Sequence, residues 1–67
     1  MYRYRYQVLT VNLKTGKTYW QKSHATLSEA KKHAFRYTRN PCDLLFYKIP
    51  KDDNKQIILD DIIYGEL

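Results

Sequence analysis

Residues 4–20 of this chain are YRYQVLTVNLKTGKTYW, and this stretch decides the fold. Both ends of the stretch are rich in aromatic and β-branched residues, which is typical of β-strands. The segment between them, residues 12–17, has the composition of a turn in which Gly16 is free to adopt positive φ. The stretch therefore predicts a β-hairpin, with strands at residues 4–11 and 18–22.

The faces of the first strand are ambiguous. Because side chains alternate across a strand, the tyrosines share one face, and the arginines share the other with the aliphatic residues nearer the turn. A β-bulge around Val8 would switch the faces and put both apolar sets in the core. Without a bulge, Tyr4 and Tyr6 are expected on the open face of the sheet, beside Tyr19 or Trp20. The pattern alone leaves both alternatives open.

A helix is predicted next, starting in the segment ATLSEA at residues 25–30. Thr26 followed by Glu29 forms a capping box. Apolar residues then recur at helical spacing, and Pro41 disfavours helix in the residue before it. The pattern predicts a helix over residues 27–39.

The second half of the chain predicts another hairpin. LLFYKI at residues 44–49 is a third strand, residues 50–55 are a polar loop, and residues 56–59 begin a fourth strand. Residues 60–67 fit either a continuation of that strand or one helical turn. We therefore expect a single α+β domain over residues 1–67, in the order ββαββ, with one helix packed on one face of an antiparallel sheet.

Composition limits the cellular setting. Cys42 is the only cysteine, so an intrachain disulfide is excluded, and the chain fits a reducing, cytoplasmic environment. The sequence has no apolar run of about 18 residues, so we expect no membrane-spanning segment.

Charge is divided unevenly along the chain. Residues 1–41 carry nine basic residues and one acidic residue, whereas residues 42–67 carry three basic and six acidic residues. A chain with this division is expected to present one positive side and one negative end. Nucleic acid or an acidic protein surface is the predicted partner of the positive side, and no membrane is expected as a partner.

Catalytic motifs are missing from the sequence. His24, His33 and Cys42 are too widely spaced for a zinc pattern. The TGKT at residues 15–18 does not fit a phosphate-binding loop, because Val11 stands where a glycine is needed and a strand follows instead of a helix. We expect no enzymatic activity, no metal and no cofactor.

The basic and aromatic residues instead predict a binding surface. In nucleic-acid-binding proteins, basic side chains contact phosphates and exposed rings stack on bases. On the helix, Lys32, Arg36 and Arg39 fall at i, i+4 and i+7 and should line one outward stripe. The predicted contact residues combine the stripe with the hairpin: Arg3, Tyr4, Arg5, Tyr6, Tyr19, Trp20, Lys22, Lys32, Arg36 and Arg39. The alternative is that most of the rings belong to the core, since so short a chain needs them there.

Two resemblances suggest a phage or mobile element as the source. YRYQVLTVNLKTGKTYW followed by ATLSEA, within residues 4–38, resembles the N-terminal arm-binding domain of tyrosine recombinases. That resemblance implies a sheet face that enters DNA, with Arg3, Arg5, Tyr19 and Lys22 as contacts. TLSEA followed by DLLFYKIP is similar to small bacteriophage proteins that inhibit a host RNA polymerase. This second resemblance implies a compact, non-catalytic protein that binds and inhibits or regulates a host enzyme.

A third hypothesis is self-association. An exposed edge strand, such as residues 56–59, could pair with the same strand of a second copy and form a homodimer.

Overall fold

The computed structural model describes residues 3–38 and 41–65, which form a four-stranded antiparallel sheet and one helix. The strands and the helix are β1 Tyr4–Asn12, β2 Thr18–Trp20, α1 Leu27–Tyr37, β3 Cys42–Pro50 and β4 Ile58–Ile63. Their order across the sheet is β2-β1-β3-β4. The α+β class is confirmed. The chain order differs from the predicted ββαββ by one added feature, an isolated bridge that joins His24 to Tyr6 between β2 and α1.

The predicted first hairpin is formed by β1 and β2. In its turn, the side-chain oxygen of Asn12 accepts hydrogen bonds from the backbone N–H groups of Lys14 and Thr15, at 2.9 and 3.1 Å. Gly16 has a φ of 75°, which glycine adopts without strain. β2 ends at Trp20, two residues earlier than predicted, and the His24 bridge then holds the chain against β1.

Helix α1 begins at the predicted cap. The Thr26 side chain accepts a hydrogen bond from the Glu29 backbone N–H at 3.2 Å, as the capping box requires. Ala30 and Ala34 are fully buried, because their small side chains let the helix lie close to the sheet. The helix ends at Tyr37, and residue 39 lies outside the described residues. No helix in residues 3–38 or 41–65 is long and apolar enough to cross a membrane.

The core lies between α1 and one face of the sheet. Both alternatives predicted for β1, a bulge around Val8 or tyrosines on the open face, are wrong. β1 pairs with β3 in an unbroken register from Tyr4 to Asn12, so there is no bulge around Val8. The face that carries Tyr6, Val8 and Thr10 is the one covered by the helix, so Tyr4 and Tyr6 do not stand on the open face. Thr10 is 0% exposed, and its hydroxyl accepts a hydrogen bond from Gln21 Nε2 at 2.8 Å. This long-range bond makes a polar core residue possible.

The bulge occurs in β4 instead. Phe46 pairs with Asp61 and Tyr47 pairs with Leu59, so Asp60 is the extra residue. The strand nevertheless continues to residue 63, which confirms the strand alternative for residues 60–63. Asp61 opposes buried Phe46 and therefore faces the helix, where its carboxylate meets Lys31 Nζ at 2.6 Å.

Candidate nucleic-acid interface

The helix covers one face of the sheet and leaves the other open. Residues directly opposite each other in an antiparallel pair point to the same side, so the register defines the open face. That face carries Arg5 and Gln7 toward one end and Thr18 and Asp43 toward the other. Its apolar and aromatic residues are Leu9, Val11, Trp20, Leu45, Tyr47, Ile49, Leu59 and Ile62. Ile49, opposite Arg5, is 2% exposed, so the Arg5 end of the face is not fully open. None of these side chains belongs to the helix-side core.

An aromatic pair stands at the centre of the open face. Trp20 on β2 and Tyr47 on β3 have ring centroids 5.3 Å apart and planes inclined at 59°. The two rings meet over β1, because Leu9 pairs with Trp20 and Gln7 pairs with Tyr47. Trp20 is 47% exposed. The pair therefore offers π-surface to a flat ligand.

Arg5 lies on the same face as the aromatic pair, two residues before Gln7, which pairs with Tyr47. Its guanidinium Nη1 donates to Gln7 Oε1 at 3.2 Å, and Gln7 Nε2 donates to the backbone carbonyl of Gln21 at 2.8 Å. The Gln7 amide is thus held in place through its Nε2 and orients Arg5 through its Oε1. The guanidinium has five N–H donors, so a donor group suited to phosphate or base edges lies next to Gln7 on the face that carries the rings.

The contact residues predicted from the hairpin are divided by the sheet. Arg5 and Trp20 are on the open face, but Tyr19 pairs with Thr10 and lies on the helix side, where it is 50% exposed. Tyr6 packs against the core, and the Tyr4 ring lies 5.2 Å from the Lys48 ammonium on the same side. Tyr4, Tyr6 and Tyr19 therefore do not join Trp20 in one aromatic surface.

The helix stripe is also on the far side of the sheet. Lys32 and Arg36 are exposed on α1, and Arg36 lies 5.7 Å from the ring of Tyr37. Arg39, the third member of the predicted stripe, lies outside the described residues. Because α1 packs on the covered face, a ligand lying on the open face does not reach this stripe.

Exposed basic residues surround the first hairpin. They are Arg3, Lys14, Lys17 and Lys22. No acidic residue occurs before Glu29, so none of these charges has an acidic neighbour within the hairpin. The first hairpin is therefore the positive side of the molecule, whereas Asp60 and Asp61 of β4 each lie within 4 Å of a lysine, Lys48 and Lys31.

A cluster around two histidines was not anticipated from the sequence. The His33 ring lies between His24 and Tyr37, with centroid distances of 4.9 and 4.6 Å, and its Nδ1 is 3.3 Å from Gln21 Oε1. His24 Nε2 is buried and has no hydrogen-bond partner among the described residues. Burial, followed by the neighbouring His33, lowers the pKa of His24 below its ordinary value. No group of three or more His, Cys, Asp or Glu side chains suited to a metal ion occurs within residues 3–38 and 41–65.

Tyr47 and Gln7 are the residues of this surface that sequence patterns missed. Tyr47 lies in an apolar run that predicts a central strand, and nothing in such a run distinguishes a ring on the open face from a ring in the core. Its pairing with Trp20 depends on the order β2-β1-β3, which brings together residues 27 positions apart.

No protein-family model, curated protein or solved structure matches this chain. The resemblances to arm-binding domains of tyrosine recombinases and to small phage inhibitors therefore have only the short motifs quoted above behind them. Any function must be inferred from the geometry of the surface itself.

Proposed function

We propose that this protein is a non-catalytic module that binds single-stranded nucleic acid on the open face of its sheet. The observation that carries the proposal is the half-exposed Trp20 ring, packed at 5.3 Å against Tyr47 on a sheet face that no helix covers. Proteins that bind single strands combine such stacking rings with a positive groove. Here Arg5 and the basic residues of the first hairpin provide the positive side.

The roles of the individual residues follow from their positions. Trp20 and Tyr47 would stack on bases, since every base has a π-face and the rings are presented side by side. Arg5 would bind phosphate on the face that carries the rings, and Lys22 would extend the positive path beyond β2. A duplex hides its base faces, so single strands are the preferred form.

The neighbouring aromatic residues of β2 provide a matched test. Trp20 and Tyr19 are exposed to almost the same degree, 47% and 50%, but they lie on opposite faces. Fluorescence anisotropy of labelled single-stranded and double-stranded DNA and RNA should show a preference for single strands. Trp20→Ala should weaken that binding about tenfold, which corresponds to the loss of one stacked base. Tyr19→Ala should leave it unchanged.

Salt dependence tests the basic residues in the same assay. Arg5→Ala should reduce the slope of log affinity against log salt by about one phosphate contact, whereas Lys32→Ala on the helix should not change the slope. Trp20 is the only tryptophan, so its own fluorescence should also be quenched when a base stacks on it. Absence of binding at tens of micromolar protein in low salt, or equal losses in both members of a matched pair, would refute the proposal.

A second candidate function is supported by the β4 half of the same face. Leu59 is 46% exposed there, and Leu45 and Ile62 lie beside each other on neighbouring strands. Exposed aliphatic residues of this kind suit a protein partner better than nucleic acid. The protein would then bind and inhibit or regulate a host enzyme. Transcription by purified bacterial RNA polymerase, with and without the protein, tests this function, and a Leu59→Lys variant should fail to inhibit.

A further inference from the structure

The two edges of the sheet carry different charged residues: lysines flank one edge strand, and aspartates lie within the other. β2 is one edge strand, its three residues are all exposed, and Lys17 and Lys22 flank it. β4 is the other edge strand, and at its centre the exposed Asp60 lies 3.9 Å from Lys48 Nζ, while Asp61 is paired with Lys31 on the helix side. Exposed ion pairs of this kind are weak, so Asp60 can still attract a second cation. No strand among the described residues pairs with the outer side of either edge. Both edges therefore present backbone groups that another chain could use.

Charge opposes pairing between like edges. An antiparallel pair of two β4 strands, centred on residues 58–63, would set Asp60 opposite the second copy's Asp61. A pair of two β2 strands would bring the flanking lysines of both copies together. Pairing of β2 with β4 instead brings the lysines to the aspartates. The predicted homodimer through an edge strand such as residues 56–59 would use β4, which begins at Ile58, and so would be such a like-edge pair.

Strand direction favours the same unlike pair. Every neighbouring pair in the order β2-β1-β3-β4 is antiparallel, so β2 and β4 run in opposite directions. A second copy placed beside the first in the same orientation would therefore continue an antiparallel sheet, with the helices of both copies on one side. The contact is head-to-tail and does not close on itself.

We propose that the β2 edge of one copy pairs with the β4 edge of the next, so that the protein assembles into open-ended chains with a continuous sheet. The three-residue length of β2 limits the number of shared hydrogen bonds, so association is weak and depends on concentration. Salt screens the Lys–Asp attraction and weakens it further. This proposal does not depend on nucleic-acid binding, although the open faces of successive copies would form one surface.

The test is sedimentation velocity over a range of protein concentrations at low and high salt. For the wild-type protein we expect the average mass to rise steadily with concentration at low salt and to fall when salt is added. A β2-edge variant, Lys17→Glu with Lys22→Glu, and a β4-edge variant, Asp60→Lys, should each associate about tenfold more weakly. Circular dichroism confirms that each variant is folded, and the milder Lys22→Gln and Asp60→Asn should shift association in the same direction.

Mixing the variants separates this arrangement from its alternatives. The β2-edge variant keeps its native β4 edge, and the β4-edge variant keeps its native β2 edge. An equimolar mixture of the two should therefore recover association. A single chain that carries all three substitutions should recover it as well. A dimer of β2 edges would be insensitive to Asp60→Lys, and a dimer of β4 edges would be insensitive to the lysine changes. Either result, or a monomer at every concentration, would overturn the proposal.

Discussion

The two faces of the sheet both carry aromatic rings, but they use them differently. On the helix side, Phe46 is fully buried and Tyr6 packs against the core. On the open side, Trp20 and Tyr47 touch each other and leave much of the Trp20 ring exposed. Rings on the face that the helix covers stabilise the fold, whereas rings on the open face remain available to a ligand. Ring content alone therefore says little about function until the covered face is known.

The largest expected difference between the faces is in stability. Phe46→Ala should lower the free energy of unfolding by about 3–5 kcal/mol, because it empties the centre of a small core. Trp20→Ala on the open face should cost about 1 kcal/mol or less, because its ring is already half in water. Urea unfolding followed by circular dichroism measures both. Equal losses would mean that the open face is part of the core and not a binding surface.

The polar residue within the covered face provides a finer test. Thr10→Val keeps the shape of the side chain but removes the hydroxyl that accepts a hydrogen bond from Gln21. We expect a loss of about 1–2 kcal/mol, with an unchanged dependence on urea concentration. Thr18→Val is the matched control, since Thr18 is exposed on β2 and should tolerate the change. If Thr10→Val is neutral or stabilising, the Gln21 bond does not determine which face is covered.

The smallest expected effect is a pH dependence at the edge of the covered face. The pKa of His24 is lowered by burial and then by His33 and Lys22, while Glu29 acts in the opposite direction. The unfolded chain therefore binds the proton more readily than the folded protein. Stability should be constant above the ordinary pKa of 6.5, decrease as pH falls through it, and level off below the folded-state pKa.

Urea midpoints measured between pH 8 and 5 test this expectation. His24→Gln, which removes the imidazole, should make the decrease in stability at low pH smaller. Lys32→Gln, a change on the outward face of α1, should leave the dependence of the urea midpoint on pH unchanged. An identical slope in wild type and His24→Gln would show that His24 is as freely hydrated in the folded protein as in the unfolded chain.

Local signals predicted most of the secondary structure. The turn with Gly16, the helix cap at Thr26 and the apolar run of β3 each depend on residues close in sequence, and each was confirmed. Boundaries were less accurate, as for β2, which ends where the chain turns to form the His24 bridge. That bridge and the bulge at Asp60 depend on distant strands and have no local signature.

The candidate surface could be predicted only in part. Arg5 and Trp20 were recognised as a basic and an aromatic residue of the hairpin, and the structure places both on the open face. The tyrosines predicted with them, Tyr4, Tyr6 and Tyr19, lie on the helix side, and no sequence pattern marks Tyr47 as a contact residue. The assignment failed because Thr10, a polar residue, was not expected in the core, although Gln21 satisfies its hydroxyl.

By itself, the sequence determined the hairpins, the helix and the division of charge, because these follow from neighbouring residues and from the order of the chain. The alternation of side chains along β1 also determined which of them share a face of the sheet. Only the tertiary structure decided which set the helix covers, which rings meet, and that β2 and β4 form the two edges of one sheet. Those outcomes depend on strand order and long-range hydrogen bonds, whose energies are set by partners far away in the chain.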